Sequence, residues 1–354
     1  MKLIHCSDLH LDSKMETNLT KEKARERNYE VFLSFKGLIS YAKENDVKAV
    51  LIAGDMFDEK RVSANMLDMV FSEIEKASEI EFFYLQGNHD EAFKGIRTID
   101  NLKTFGNSWT YYDLDGVRVA GVEMSKANCL SFYDELELNK EDTNIVMLHG
   151  QESSQAGNDM VCINKLKDKN IDYLALGHIH SYKCEALDMN GKYCYCGCLE
   201  GRGFDECGEK GFVLLEVNGK HVESTFVPFS KRIMHEIELD ISGFCTINEI
   251  ISEAERKISE IDSKDLVKLV LTGTYTTDTN KDVDFLLKAL EDRVYYLKVK
   301  DKSRLLIDAG DYKYDKTLKG EFIRAVLASD KSDEDKERII ACGLAALKGE
   351  KISL

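Results

Sequence analysis

Lys48-Ala49-Val50-Leu51-Ile52-Ala53 runs directly into Gly54-Asp55-Met56-Phe57-Asp58. A short run of Val, Leu and Ile with no polar alternation reads as a strand buried on both faces. The glycine and two aspartates after it place carboxylates where that strand must turn. The same arrangement recurs four times. Apolar residues 2–7 lead into Asp8-Leu9-His10, and 81–86 into Gly87-Asn88-His89-Asp90. Residues 144–148 lead into His149-Gly150, and 173–176 into Gly177-His178-Ile179-His180. Between the first strands, 20–45 carries Val31, Phe32, Phe35, Leu38, Ile39 and Ala42 near helical spacing, and 63–79 carries Leu67, Val70, Phe71 and Ile74. Strand–helix–strand alternation predicts right-handed crossovers and a largely parallel sheet, an α/β fold.

Ligands bind at the carboxyl edge of such sheets. Five strands deliver Asp, Asn or His there, and five of the eight histidines of the chain fall in these turns. Imidazole nitrogen and carboxylate or amide oxygen are ligands for divalent Mn, Fe or Zn. On extended backbone alternate side chains point the same way. Asp8 with His10, and His178 with His180, are therefore each expected to face one pocket. Gly54, Gly87 and Gly177 allow sharp turns and close backbone approach. Any one of these pieces alone is an ordinary turn or a core histidine; five in this order define a metal site.

Downstream the pattern changes. Asn190-Gly191 and Asn218-Gly219 read as hairpin turns, so 182–229 is expected to be antiparallel and to complete the first domain. A boundary is expected near Pro228–Arg232. Residues 233–310 then read as strand, helix (246–261), strand (266–272), helix (281–291) and strand (293–299). Residues 317–349 read as two helices. In the first, Leu318, Phe322 and Val326 form one stripe, with Ile323 and Leu327 beside it; in the second, Ile340, Leu344 and Leu347 share a stripe. The expected domains are 1–230, 231–312 and 313–354.

Composition narrows the class. Hydrophobic residues make up 43% and charged residues 32%, as in a folded globular chain rather than a disordered one. No apolar run approaches the ~20 residues that span a bilayer, and the N-terminus lacks a secretory apolar core, so a cytoplasmic protein is expected. Acidic residues exceed basic ones by 64 − 48 = 16, which argues against a tight, autonomous DNA binder. Bound dications and a basic partner can supply the missing positive charge. The ten cysteines include no C-x-x-C pair and read as reduced thiols. Cys194, Cys196 and Cys198 alternate on one strand and read as core, as do Trp109, Tyr111 and Tyr112 as core or rim.

The order D-x-H, G-D-x-x-D, G-N-H-D, H-G and G-H-x-H resembles the calcineurin-like metallophosphoesterases over roughly residues 1–230. The resemblance implies a β-sandwich flanked by helices, with two metals at the strand ends. Carried over by motif, Asp8, His10, Asp55 and His180 would hold one metal. Asp55, Asn88, His149 and His178 would hold the other, with Asp55 bridging. His89 would not be a ligand but would donate a proton to the leaving oxygen. Two dications, Mn by preference with Fe, Zn or Mg as alternatives, would support in-line attack by a bound hydroxide.

Within that superfamily, His5-Cys6-Ser7-Asp8-Leu9-His10-Leu11-Asp12 resembles the N-terminus of DNA-repair nucleases of the SbcD/Mre11 group. The segment from Leu199 to Gly211 resembles the stretch after the last metal ligands in bacterial members. The small α+β capping unit and the terminal helix pair also match. This resemblance implies a DNA substrate and an SMC-like coiled-coil ATPase partner of the SbcC/Rad50 type, and admits a homodimer. Members often carry a histidine after G-D-x-F; here Asp58 stands there, a carboxylate suited to buttress a ligand histidine. Arg202 reads either as a phosphate contact or as a partner of Glu200, Asp205 or Glu206. The alternatives are a small-molecule phosphodiesterase or phosphatase of the superfamily, and a scaffold with vestigial activity.

Overall fold

The computed structural model describes residues 1–15, 19–58, 62–90, 98–308 and 310–348. The chain divides into two compact units, Met1–Ile233 and Met234–Leu354. Among the described residues no helix is long and apolar enough to cross a membrane.

The first unit opens with β1 (Lys2–Cys6), α1 (Lys21–Glu44), β2 (Val47–Ala53), α2 (Ala64–Glu75), β3 (Glu81–Leu85) and β4 (Leu102–Thr104). The helices start where Thr20 and Ser63 cap them, each hydroxyl accepting from a first-turn amide, of Lys23 and Met66. The strands β1 to β4 pair parallel, as the alternation predicts. Next come β5 (Thr110–Leu114), β6 (Val117–Gly121), β7 (Thr143–His149), β8 (Gln151–Ser153), β9 (Met160–Cys162) and β10 (Tyr173–Gly177). Two hairpins close the unit: β11 (Lys183–Ala186) with β12 (Lys192–Tyr195), and β13 (Gly211–Asn218) with β14 (His221–Pro228).

These strands form two six-stranded sheets, ordered β14-β13-β1-β2-β3-β4 and β11-β12-β10-β7-β6-β5. The sheets face each other, and helices cover the outer face of the first. Period-two alternation in β2 explains the layering. Ala49, Leu51 and Ala53 meet Ile145, Met147 and Ala175 of the other sheet, whereas Val50 and Ile52 meet Phe35, Leu38 and Val70 of the helices. These β2 residues are all fully buried, each Val, Leu or Ile contributing about 1.5–3 kcal/mol. That two-sided burial is why the run is apolar throughout.

The two hairpins expected in 182–229 form within the first unit, and the sheets they join are what the expectation did not include. Both hairpins are antiparallel, but they lie in different sheets, and β12 pairs parallel with β10. The chain crosses from one sheet to the other through 196–210. A local turn signal specifies a hairpin and not the sheet it joins.

The second unit holds β15 (Met234–Asp240), α3 (Ile247–Ile258), β16 (Leu266–Thr272), β17 (Thr274–Tyr275), α4 (Val283–Leu290), β18 (Tyr296–Asp301), β19 (Arg304–Leu305), α5 (Leu318–Leu327) and α6 (Asp333–Lys348). β15, β16 and β18 pair parallel over a core of Leu239, Ile250, Ala254, Leu269 and Leu286. α3 begins with a capping box between Thr246 and Glu249. α5 and α6 share a cluster with Leu305, in which Ile323 and Ile340 are fully buried. The helix pair thus has a core with the preceding strand, which its sequence stripes alone did not show. The expected end of the second helix at 349 lies outside the described residues.

Candidate metal centre

The sandwich brings five strand ends to one place, and the backbone there is unusual. Asp8, His10, Asp55 and His178 have φ of +52°, +45°, +51° and +101°. Such conformations cost non-glycine residues ~1–3 kcal/mol each and persist only where the surroundings impose them. The expectation of extended D-x-H and H-x-H segments is therefore corrected. β1 stops at Cys6, and the side chains converge because the chain turns. The turns after β1 and β2 are zipped by Asp8 N–H to Gly54 O (3.0 Å), His10 N–H to Asp55 O (3.0 Å) and Leu11 N–H to Met56 O (2.9 Å). The buried Asp90 carboxylate accepts from the amides of Met56, Phe57 and Gly87, tying the β2 turn to the β3 turn. A Cβ at Gly87 would lie 2.2 Å from Asp55 Oδ1, and one at Gly54 would lie 2.1 Å from His149 Nδ1. Only glycine lets these turns approach so closely.

The side chains form one connected cluster. Asp55 Oδ2 lies 3.4 Å from His149 Nε2 and 3.9 Å from His10 Nε2, while Oδ1 accepts from the His89 amide at 2.9 Å. Asn88 Oδ1 lies 3.0 Å from His149 Nε2 and 3.2 Å from His178 Nδ1. Asp8 Oδ1 lies 3.7 Å from His180 Nε2, and the Asp8 carboxylate accepts from Ser7 Oγ and the His178 amide. Among the described residues two groups have ligand atoms within 4.8 Å of one another: Asp8, His10 and His180, and Asp8, Asp55 and His149. Asp8 belongs to both, and Asp55 touches a histidine of each. His178 and His180 diverge, the first toward Asn88 and His149, the second toward Asp8 and His10.

Contacts on the far side of each ring assign the tautomers. His149 Nδ1 donates to Ala53 O at 2.9 Å, and His180 Nδ1 donates to Glu206 Oε1 at 2.6 Å. His10 Nδ1 lies 2.9 Å from Asp58 Oδ1. Carbonyls and carboxylates only accept, so Nδ1 of His149 and of His180 carries a proton, and Nε2 of each is turned into the centre. His10 Nε2 then faces His180 Nε2 at 3.2 Å, and His149 Nε2 faces Asn88 Oδ1 at 3.0 Å. At that range each pair needs a proton or a metal ion between its two acceptor atoms. The donor set, imidazole with carboxylate and amide oxygen, fits divalent first-row metals.

Without a metal a proton takes the cation's place. Burial pushes the His149 imidazole down, but the Asp55 carboxylate outweighs it and raises the group to about 9. At His180 burial again pushes down, and Glu206 outweighs it, so this imidazole is raised as well. Burial raises Asp55, and His149 more than reverses this, holding the carboxyl below the usual range. Burial and then His149 push His178 down.

Glu206 carries a role that sequence reasoning did not assign to it. It is buried, burial is outweighed by His180 and Arg202, and its carboxyl is held at about 2. Arg202 reaches Asp58 Oδ1 with Nη1 at 2.7 Å and Glu206 Oε1 with Nη2 at 3.0 Å. Of the three nearby carboxylates expected as partners for Arg202, Glu206 is the one it meets, and Asp58 is added from another strand end. Glu200 instead meets Arg27 and Ser34. The result is a chain His10–Asp58–Arg202–Glu206–His180, which holds both rings in place. The tie made by Asp90 between two turns was equally silent in the sequence. His89 is exposed at the mouth, its ring edge-on to His10 with centroids 5.4 Å apart. Cys194, Cys196 and Cys198 are fully buried, and neither ligand group includes a thiol. Trp109 donates to Phe132 O and Tyr112 to Thr104 O, as packed residues do.

Residues 1–182 match the family described as calcineurin-like phosphoesterase. The chain is 25% identical over 295 residues to the uncharacterized metallophosphoesterase YhaO of Bacillus subtilis, covering 77% of this chain and 72% of that one. It is 25% identical over 355 residues to the DNA double-strand break repair protein Mre11 of Haloferax volcanii, covering 98% and 75%. To the protein of the same name from Sulfolobus acidocaldarius it is 24% identical over 321 residues, covering 84% and 82%.

Proposed function

The chain belongs to the calcineurin-like phosphoesterase family, a hydrolase family dependent on a dinuclear metal site, and from that premise we propose that it hydrolyses DNA phosphodiester bonds as the nuclease subunit of an SMC-like ATPase–nuclease complex. The observation that carries the proposal is the extent of similarity to the Haloferax volcanii protein. It runs through 98% of the chain and so includes the second unit, not the catalytic fold alone.

Asp8, His10, Asp55 and His180 would hold one dication and Asp55, Asn88, His149 and His178 the other, with Mn the favoured metal. The bound pair supplies Lewis-acid charge to phosphoryl oxygens and acidifies water near neutral pH. The protein's own groups do the rest. Asp58, Glu206 and Arg202 hold His10 and His180 in register. His89, at the mouth, protonates the leaving oxygen, a task suited to an imidazole near neutral pH. Residues 1–230 act as the catalytic domain, 231–312 as the cap and 313–354 as the docking hairpin. On that hairpin Leu318 and Leu347 are 69% and 49% exposed, whereas Ile323 and Ile340 are spent on its own core. The two exposed leucines are the contacts offered to a coiled coil, helix against helix.

The test compares purified, Mn-loaded protein on single- and double-stranded DNA, a bis-nitrophenyl phosphodiester and a nitrophenyl monoester. Cleavage of DNA together with the diester supports the proposal. Turnover of the small esters with DNA intact favours the second reading, a small-molecule phosphoesterase, which the similarity to YhaO also fits. Leu318→Glu with Leu347→Glu should abolish co-purification with the ATPase and leave diester cleavage unchanged. Retained co-purification removes the docking role.

A further inference from the structure

β11 and β12 place two cysteines directly opposite each other, Cys184 against Cys194. The position within the ladder matters. Leu187 N–H donates to Gly191 O at 2.9 Å, so that opposed pair is hydrogen-bonded. Pairs alternate along an antiparallel ladder, so 185 with 193 is bonded and 184 with 194 is not. Lys192 N–H, turned away toward Asp172 O, fits the same phase. At a non-bonded pair the Cα atoms stand about 4.5 Å apart with both side chains on one face. That lies inside the about 4.4–6.8 Å range a disulfide requires. Cys196, the next thiol on that face, is not opposite Cys184 and lies 3.1 Å from Ser7 Oγ.

Access differs between the two sulfurs. β11 is the outer strand of its sheet and β14 the outer strand of the other. Cys184 sits at this open edge, half-buried, with Sγ 3.8 Å from Ser224 Oγ of β14. Lys192 Nζ lies 3.3 Å from the same hydroxyl, placing a positive charge beside the thiol. Cys194 lies behind it, fully buried.

We propose that Cys184 and Cys194 form a peroxide-oxidisable dithiol, in which Cys184 reacts first and Cys194 resolves it as a cross-strand disulfide. The Cys184 sulfur attacks one oxygen of hydrogen peroxide, and the O–O bond breaks. The second oxygen leaves as hydroxide, takes the thiol proton and becomes water. The Cys194 sulfur then attacks the sulfenic sulfur, an S–S bond forms, the S–O bond breaks and a second water leaves. Two sulfurs lose two electrons and the peroxide is reduced to two waters. The environment supports the order of events. The neighbouring Cys194 thiol brings the Cys184 thiol down to about 6, against burial and with help from Ser224 and Lys192. The same contact pushes Cys194 far up. A low, reachable thiol reacts; a protonated, buried one waits. The bond would pin the hairpin that begins three residues after His180.

The test treats the full-length protein with hydrogen peroxide, blocks remaining thiols with N-ethylmaleimide and maps peptides by mass spectrometry. Two of the ten thiols should disappear into a single 184–194 disulfide that dithiothreitol reverses. Cys184→Ser should abolish the bond and leave every remaining thiol alkylatable after peroxide. Cys194→Ala should leave Cys184 trapped as sulfenic acid, captured by dimedone. The wild-type map decides the matter even if a variant fails to fold. No thiol loss, a bond between other cysteines, or peroxide damage spread evenly over all the cysteines would overturn the proposal.

Discussion

His10 Nε2 faces His180 Nε2 across 3.2 Å, and the far nitrogen of each ring is turned onto a carboxylate, Asp58 for one and Glu206 for the other. Arg202 joins the two carboxylates. Residues from separate strand ends thus bring two ring nitrogens to a distance that needs a cation between them, a proton or a metal ion.

Metal binding should therefore stabilise the fold. Adding Mn to metal-free protein should raise the melting temperature, by the equivalent of about 2.7 kcal/mol at a hundredfold excess over Kd. EDTA should reverse it. Asp55→Asn should lose at least one metal per chain by elemental analysis and abolish diester cleavage. Two retained metals with an unchanged rate would remove Asp55 from the bridging role.

His89 touches the centre only through its backbone amide and its ring edge. His89→Asn should keep both metals and lower the rate on DNA by ~10²–10⁴-fold, the usual contribution of a positioned proton donor. The deficit should shrink on nitrophenyl diesters, whose leaving groups need little protonation. An equal loss on both substrates would point to a different role for this imidazole.

Glu206→Gln keeps a hydrogen-bond acceptor for His180 Nδ1 but removes the charge, and it breaks the balance with Arg202. Partners of ligand histidines typically govern ~10–100-fold in metal affinity. A loss of that size is expected in a Mn titration by calorimetry, with the circular dichroism spectrum preserved. Unchanged affinity would mean that Glu206 serves the fold alone.

Glu123 offers a pH test away from the ligands. Burial, with Asp90 adding to it, raises its carboxyl from 4.5 to about 7. A folded pKa above the unfolded one stabilises the protein fully below about 4.5, and that stability is lost as pH rises to about 7. Glu123→Gln should therefore raise the urea midpoint at about pH 8 and leave it nearly unchanged at about pH 4.5. A shift of the same size at both pH values would locate the effect in packing instead.

The sequence by itself determined the five strands that end in Asp, Asn or His, the parallel run of the first three and the chemistry at their ends, whereas β4, β5 and β6 carried no comparable signal. Val50, Leu51 and Ile52 can only be a strand buried on both sides, and Asp55 or His178 after such a strand can only lie at the sheet's carboxyl edge. These are local properties, written in apolar period and turn residues. Tertiary structure decided the rest. The left-handed backbone of Asp8, His10 and Asp55 is imposed by neighbouring turns, through Gly54 O, Asp55 O and Asp90, and no local preference announces it. Glu206 and Asp58 lie far apart in the chain and meet only because Arg202 spans them. The two hairpins after residue 180 look alike in sequence yet enter different sheets. Pairing partners, ring tautomers and the convergence of lone pairs depend on contacts between distant segments, and those exist only once the two sheets have closed on each other.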